Sequence, residues 1–536
     1  MKYMNEIQLE VSLSETDVLK IADEANVKKF ALFCQKWFLI EESEKLVVGR
    51  IDKDQFGNDC VKKLSTGAFK LKENSSIKVW TDKNKEETKL VSLAEFWINS
   101  RSRKVYDGEC FNPNLAAANP NYLNLFFGLR IKPVAFEPAK NAQAIEGLTS
   151  HDGSSFLVPG EVSLFVKLWF KNICASDNEA FWHSIRTFAM QLQKPWLKAN
   201  LAMDILGPQG VGKTIAILTL GSLWHPSHIG YLADSKRGQS QFNGHLSGKM
   251  LMIHDEASWG GNKSDAGFIK ALTTQKTIDI ERKGKDSRLE RNYVIPIYLT
   301  NEDFPVAIDH DDRRHLVLKA VEFFKKNSEF FAEYYDCYGD DEEKTDEQIR
   351  NLGYLLYWLQ SMDLEDFKPW KNVPDSQAKT DLKVRSAGSE SQFFIDMLNG
   401  EVMDDLGISK TWLDSDVEIK CSTIFEAYQS YSREMGVKYS LDRSRFGKKI
   451  AEIFSAERIR SNKGERPYIY VFKSIPECKK LLASHFNTSV EFLFKDAKTD
   501  LANKAPVAKN CNDVVLSEKQ IIESDKKDID VSFFIS

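Results

Sequence analysis

The chain has 536 residues, 42% of them hydrophobic, and its 73 basic and 78 acidic side chains leave a formal charge of −5. That length exceeds what one apolar core supports and predicts about three or four folding units. Near-neutrality excludes a globally basic surface, so any contact with nucleic acid has to come from local clusters.

Residues 1–90 combine a helical stretch, "LSETDVLKIADEANVKKFALFCQKW", opened by Ser14 or Thr16, with strand-like runs "KLVVGRI" and "SIKVWT". They predict a small accessory α+β domain. Asp52 and Asp54 have the DxD spacing of metal-holding carboxylates, but with no third carboxylate or partner histidine they read as loop residues. Residues 91–202 are expected to form a collar and a helical oligomerisation region. Within it "EVSLFVKLWFKNICA" and "NEAFWHSIRTFAMQLQKPWLKA" place apolar residues at i, i+3, i+4 and i+7. Asp177 or Asn178 is positioned to cap the second helix, and Pro195 to end or kink it.

From 203 to 320 apolar strands alternate with helices, the pattern of a parallel α/β sheet. "DILGPQGVGKT" carries the strongest motif: Gly207, Pro208, Gln209, Gly210, Val211, Gly212, Lys213 and Thr214 fit G-x-x-x-x-G-K-[ST] between a strand and a helix. Glycines let backbone N–H groups curl around phosphate oxygens, and the helix N-terminus favours negative charge. Lys213 would neutralise the β- and γ-phosphates of ATP, and the Thr214 hydroxyl would ligate Mg2+. "KMLMIHDEAS" supplies a buried strand over 250–253 ending in Asp255, for the Mg2+ shell, and Glu256, to orient or deprotonate an attacking water. His254 reads as a packing residue. "NYVIPIYLTNE" ends in Thr300 and Asn301, the amide placed to sense the γ-phosphate or to help place the attacking water. Arg313 and Arg314 follow: one is assigned to a neighbouring subunit's site and the other to an ion pair with Asp311 or Asp312, with the order left open.

Between the Asp-Glu and Asn strands lies "TIDIERKGKDSRLERN", whose Arg282, Lys283, Lys285, Arg288 and Arg291 form a basic turn between two apolar arms. Residues 321–385 read as a helical lid and linker, polar near 372–390. Residues 386–490 follow a winged-helix order, with Arg445, Lys448, Lys449, Lys463 and Arg466 forming a basic face. The remainder, 491–536, is expected to be mostly disordered and closes on "DIDVSFFIS". Eight unpaired cysteines without CxxC spacing argue for a reducing, cytoplasmic setting, and no apolar run approaches the roughly 18 residues of a membrane span.

The order of these motifs resembles the superfamily 3 helicases of small DNA viruses, phages and plasmids, above all the helicase portion of phage and mobile-element primase-helicases. "FWINSRSRKVYDGECFNPN", "FNGHLSGKMLMIHDEA" and "LGYLLYWLQSMDLEDF" extend the resemblance over about 95–375. It implies an AAA+-like ATPase core assembling as a homo-hexamer around DNA, with ATP and Mg2+ as cofactors and other replication proteins as partners. The resemblance places Lys283 and Lys285 at a hairpin tip in the channel, in contact with DNA, with Arg282 a further DNA contact or, like Arg288 and Arg291, facing neighbours or solvent. The large N-terminal primase-polymerase of many relatives is missing or reduced, so primer synthesis is not carried over. A factor that binds an origin or loads a helicase, using ATP as an assembly switch without translocating, is the alternative.

Overall fold

The computed structural model describes residues 12–42, 45–82, 84–137, 141–150, 153–232, 243–256, 263–283, 287–301, 308–340, 343–400, 406, 412, 415–437, 439–461 and 467–494. Lys285, Lys463, Arg466 and the C-terminal stretch "DIDVSFFIS" lie outside them.

A mixed α/β architecture is built on three main apolar cores. The N-terminal core packs Trp37 and Trp97 against Phe33 and Phe69, so it takes in residues on both sides of position 90. The expected single helical run from Leu13 is two helices, Glu15–Val18 and Glu24–Lys36, the second capped by Asp23 accepting from Asn26 N. A four-stranded sheet beside them takes Lys104–Tyr106 as its last strand, parallel to Phe38–Glu42. Asp52 pairs with Arg50 and Lys62, and Asp54 accepts from Phe56 N and Asn58 N, so both carboxylates are engaged locally.

The central core contains five parallel strands in the order Ile229–Leu232, Leu251–His254, Ile295–Thr300, Ala202–Leu206, His315–Lys319. Every residue of Ala202–Leu206 is buried, as expected of a strand with both faces covered. Its one charged residue, Asp204, accepts from His315 Nδ1 at 2.7 Å. Burial opposes the imidazolium, but Asp204 and Asp312 hold the His315 pKa up. Removing one partner of such a buried pair typically costs about 3–5 kcal/mol.

Helix Asn178–Gln193 starts at Asp177, which accepts from Ala180 N, and stops before Pro195. The preceding stretch departs from the expected amphipathic helix. Ser163–Lys167 is α-helical but Leu168–Ile173 is a π turn, with all its residues except Lys171 buried. Helix Asp346–Ser361 opens with a capping box of Thr345 and Gln348.

The stretch expected as a polar linker is also different. Gln377–Ser386 is a helix packed on strand His315–Lys319, burying Ala378, Lys379, Thr380, Leu382 and Lys383. It joins the central body to the C-terminal unit, where helices Cys421–Glu434 and Arg443–Phe454 pack with strands Val417–Lys420, Arg458–Arg460 and Tyr468–Phe472. Among the described residues no helix is long and apolar enough to cross a membrane.

Candidate nucleotide site and nucleic-acid interface

The loop 207–212 leaves strand Ala202–Leu206 and enters helix Lys213–Gly221. Two of its glycines are sterically required. A Cβ at Gly207 would lie 2.6 Å from the Ala320 carbonyl oxygen, and one at Gly212 would lie 3.0 Å from both Leu168 and Phe331. Gly212 also has φ +87°, a left-handed value that side chains resist, and it caps the helix without a side-chain acceptor for the first amides. Lys213 folds back over this turn: its Nζ donates to Gly207 O at 2.6 Å, Pro208 O at 2.9 Å and Asn301 Oδ1 at 2.9 Å. Burial lowers its pKa to about 8, against the pull of Asp255.

A cavity of about 390 Å³ opens in front of Lys213. Gln209, Gly210, Val211, Gly212 and Thr214 line it on the loop side, with Asp255, Glu256, Thr300 and Asn301 from two neighbouring strand ends and Phe331 and Tyr335 from helix Ser328–Tyr338. The strand before Asp255 runs Leu251–His254, one residue later than expected. Asp255 accepts the Tyr231 hydroxyl on one oxygen and Glu256 N at 3.1 Å on the other. Glu256 is exposed at φ +53°, a conformation that costs energy unless its surroundings enforce it. His254 stacks on Tyr298 with centroids 4.8 Å apart, and burial lowers its pKa to about 4, so it packs as a neutral ring.

The donor set fits a nucleotide with Mg2+. Helix-start amides without a side-chain cap, a lysine ammonium and the Thr214 hydroxyl line the loop side of the cavity, and the Asp255 carboxylate, like that hydroxyl a hard oxygen ligand, lines another. Sequence reading missed two residues that hold this arrangement. Tyr231 fixes Asp255. Asn172, fully buried on the π turn, donates to Val211 O at 2.9 Å and accepts from Phe324 N at 3.0 Å, tying the loop to the segment after the last core strand. π turns recur at functional positions, but a lone asparagine inside an apolar run carries no sequence signal for this one.

Arg313 is exposed and Arg314 half-buried, directly before strand His315–Lys319. Neither lines the Lys213 cavity of its own chain. The expected arginine partner of Asp312 is replaced: its carboxylate accepts the backbone N–H groups of Arg314 and His315 and lies 3.9 Å from the buried Lys379 ammonium.

The basic segment is an antiparallel hairpin, Thr277–Ile280 against Arg288–Arg291, with Thr277 opposite Arg291. Lys283 is exposed at its turn. Arg282, expected to contact DNA, is half-buried and donates to Ser247 Oγ at 2.8 Å. Ser247 donates in turn to Glu290, which also binds Arg288. Arg288 reaches Glu109 at 3.6 Å, and Glu109, 7% exposed, meets Lys63 of the N-terminal sheet at 2.7 Å. At the hairpin base Lys198 Nζ donates to Leu272 O, Asn292 Oδ1 and Val294 O, three acceptors for three ammonium protons. In the C-terminal unit Lys448 is exposed, whereas Lys449 pairs with Glu452 at 2.9 Å.

Residues 205–314, which span the loop, both acidic residues, the hairpin and the arginines, match a protein family described only as of unknown function, DUF5906. Over 141 residues, 26% of this chain, the sequence is 27% identical to the DNA primase-polymerase of Nitratiruptor phage NrS-1; the match takes in 20% of that protein. The apo structure of the NrS-1 C-terminal region superposes with a TM-score of 0.53 at 16% identity, covering 84% of this chain and 100% of that one. A second structure of that region, its A form, gives a TM-score of 0.53 at 16% identity over 82% and 98% of the two chains. The chain is therefore similar in part of its sequence to a phage DNA primase-polymerase and shares the mixed α/β fold of that protein's C-terminal region.

Proposed function

We infer that the chain is an ATP-hydrolysing, DNA-unwinding motor of superfamily 3 type with an AAA+-like core, acting in the replication of a phage or mobile element. The observation that carries this reading is Lys213, held across a glycine loop and bonded to Asn301, with Asp255 and Glu256 on the opposite wall of one cavity. Strand Ala202–Leu206, paired on both sides within the parallel sheet, feeds the loop, as in phosphate-binding strand–loop–helix units. The similarity to a phage DNA primase-polymerase supports the setting.

In this mechanism the loop amides and Lys213 bind the ATP phosphates, and Thr214 and Asp255 would hold Mg2+, which supplies charge neutralisation when bound. Glu256 orients the attacking water and accepts its proton. Asn301 exchanges its Lys213 contact for the γ-phosphate, reporting on the nucleotide to the strand that follows the hairpin. An arginine from a second subunit, Arg313 or Arg314, completes the site.

The test is strand displacement on a forked duplex with and without ATP, with Lys213→Ala as control. The expected result is ATP-dependent displacement that the variant abolishes along with ATP hydrolysis. ATP hydrolysis without displacement would replace the motor by the assembly-switch reading.

A further inference from the structure

The C-terminal sheet has Tyr468–Phe472 at its centre, between Val417–Lys420 and Arg458–Arg460. Residues directly paired across strands share a face, so Val417, Ile419, Tyr470 and Phe472 lie on the same face as Arg458, Arg460 and Tyr468. Ile419, Tyr470 and Phe472 are buried in the unit's apolar core, with Val417 packed against it. Arg458, Arg460 and Tyr468 are exposed. One continuous face is thus covered over the body of the unit and open towards its free end.

What occupies the open end is cationic and aromatic. The Arg458 guanidinium lies over the Tyr468 ring, 4.0 Å from its centroid. Burial raises the pKa of the Cys421 thiol and the Tyr470 hydroxyl, and the positive charges of Arg458 and of Arg443, exposed at the start of helix Arg443–Phe454, both oppose that shift. No described residue on this face of the three strands is acidic. Neighbouring cations are spent on carboxylates: Arg445 on Asp442 at 3.4 Å, Lys449 on Glu452 at 2.9 Å and Lys473 on Asp416 at 3.0 Å.

We propose that Arg443, Arg458 and Tyr468 form a DNA-binding face that grips the phosphodiester backbone, separate from the hairpin and from the nucleotide cavity. A guanidinium already ordered on an aromatic ring loses little freedom on meeting a phosphate, and its planar fork matches two phosphate oxygens. The charge of this face fits an anionic backbone. Of the basic face expected from the sequence, Arg445 and Lys449 pair with acidic neighbours, Lys448 is exposed, and Lys463 and Arg466 lie outside the described residues.

Fluorescence anisotropy of the full chain with a labelled single strand and a labelled duplex, each titrated across a range of salt, tests the proposal. The double variant Arg443→Gln, Arg458→Gln should bind about tenfold more weakly at low salt. Its log–log salt slope should fall by about 1.8 on duplex, or about 1.4 if single strands are the ligand. Arg458→Lys, which keeps the charge, should weaken binding without changing the slope, and Lys473→Gln should change neither. The same differences should persist in a Lys213→Ala chain and in a Lys283→Ala, Lys285→Ala chain, which separates this face from the ATP site and the hairpin. An unaltered slope in a double variant with unchanged melting temperature, or an equal loss in Lys473→Gln, would overturn the proposal.

Discussion

Lys213 is the residue at which structure and chemistry meet most directly. Burial brings its pKa down to about 8, while nucleotide phosphates would stabilise its ammonium and raise that value. Below about pH 7 the group is charged in both free and bound protein, so affinity does not depend on it. Above about 8 the free protein has lost the proton and must regain it on binding, so affinity falls as pH rises. Calorimetry at pH 9 in buffers of different ionisation enthalpy should show uptake of close to one proton that is absent at pH 7. Equal heats after buffer correction at both values would remove Lys213 from the phosphate contact. This residue was legible in the sequence because glycines at fixed offsets and a following lysine constrain a backbone shape. Asn172 and Tyr231 were not, since each acts through one bond to a residue distant in the chain.

At the scale of elements, the hairpin is held at its base and exposed at its turn. Lys198 and Asn292 bind the strand beyond it, and Arg282 and Arg288 are engaged through Ser247 and Glu290, leaving Lys283 at the turn and Arg291 at the base as its exposed basic residues among those described. The double change Lys283→Ala, Lys285→Ala should therefore leave basal ATP hydrolysis within about twofold of wild type while abolishing strand displacement, because phosphate contacts carry the grip on DNA. Normal displacement by this variant would move the DNA contact elsewhere. The basic run was readable as a hairpin because its arms alternate around a Lys-Gly turn. Which of its cations are internally engaged was unreadable, since Ser247 and Glu109 come from other segments. Helix Gln377–Ser386 was hidden for a related reason. Its lysines suggested solvent, but Lys379 meets Asp312, and Lys383 donates to Phe486 O and Asn487 O at 2.9 Å each.

For the whole molecule, the position of the arginines decides what an active assembly requires. Arg313 and Arg314 do not line their own chain's cavity, and in the proposed motor one of them acts on the site of a second subunit. Lys213→Ala chains and chains lacking the acting arginine should each be inactive alone. Mixed, they should recover ATP hydrolysis, because one class of mixed interface pairs an intact lysine with an intact arginine. No recovery with either Arg313→Ala or Arg314→Ala would place the arginine role within one chain. The C-terminal unit bears on the same region: His310 stacks on His485 with centroids 4.3 Å apart, beside the segment that carries both arginines.

Glu109 has a mechanical consequence. It is almost enclosed, with Lys63 from the N-terminal sheet on one side and Arg288 from the hairpin on the other. A hairpin stroke large enough to part Arg288 from it would leave an enclosed carboxylate with one cation in place of two, a state that electrostatics opposes. In the proposed motor, this contact between the N-terminal sheet and the hairpin would oppose displacement of the hairpin and favour its return.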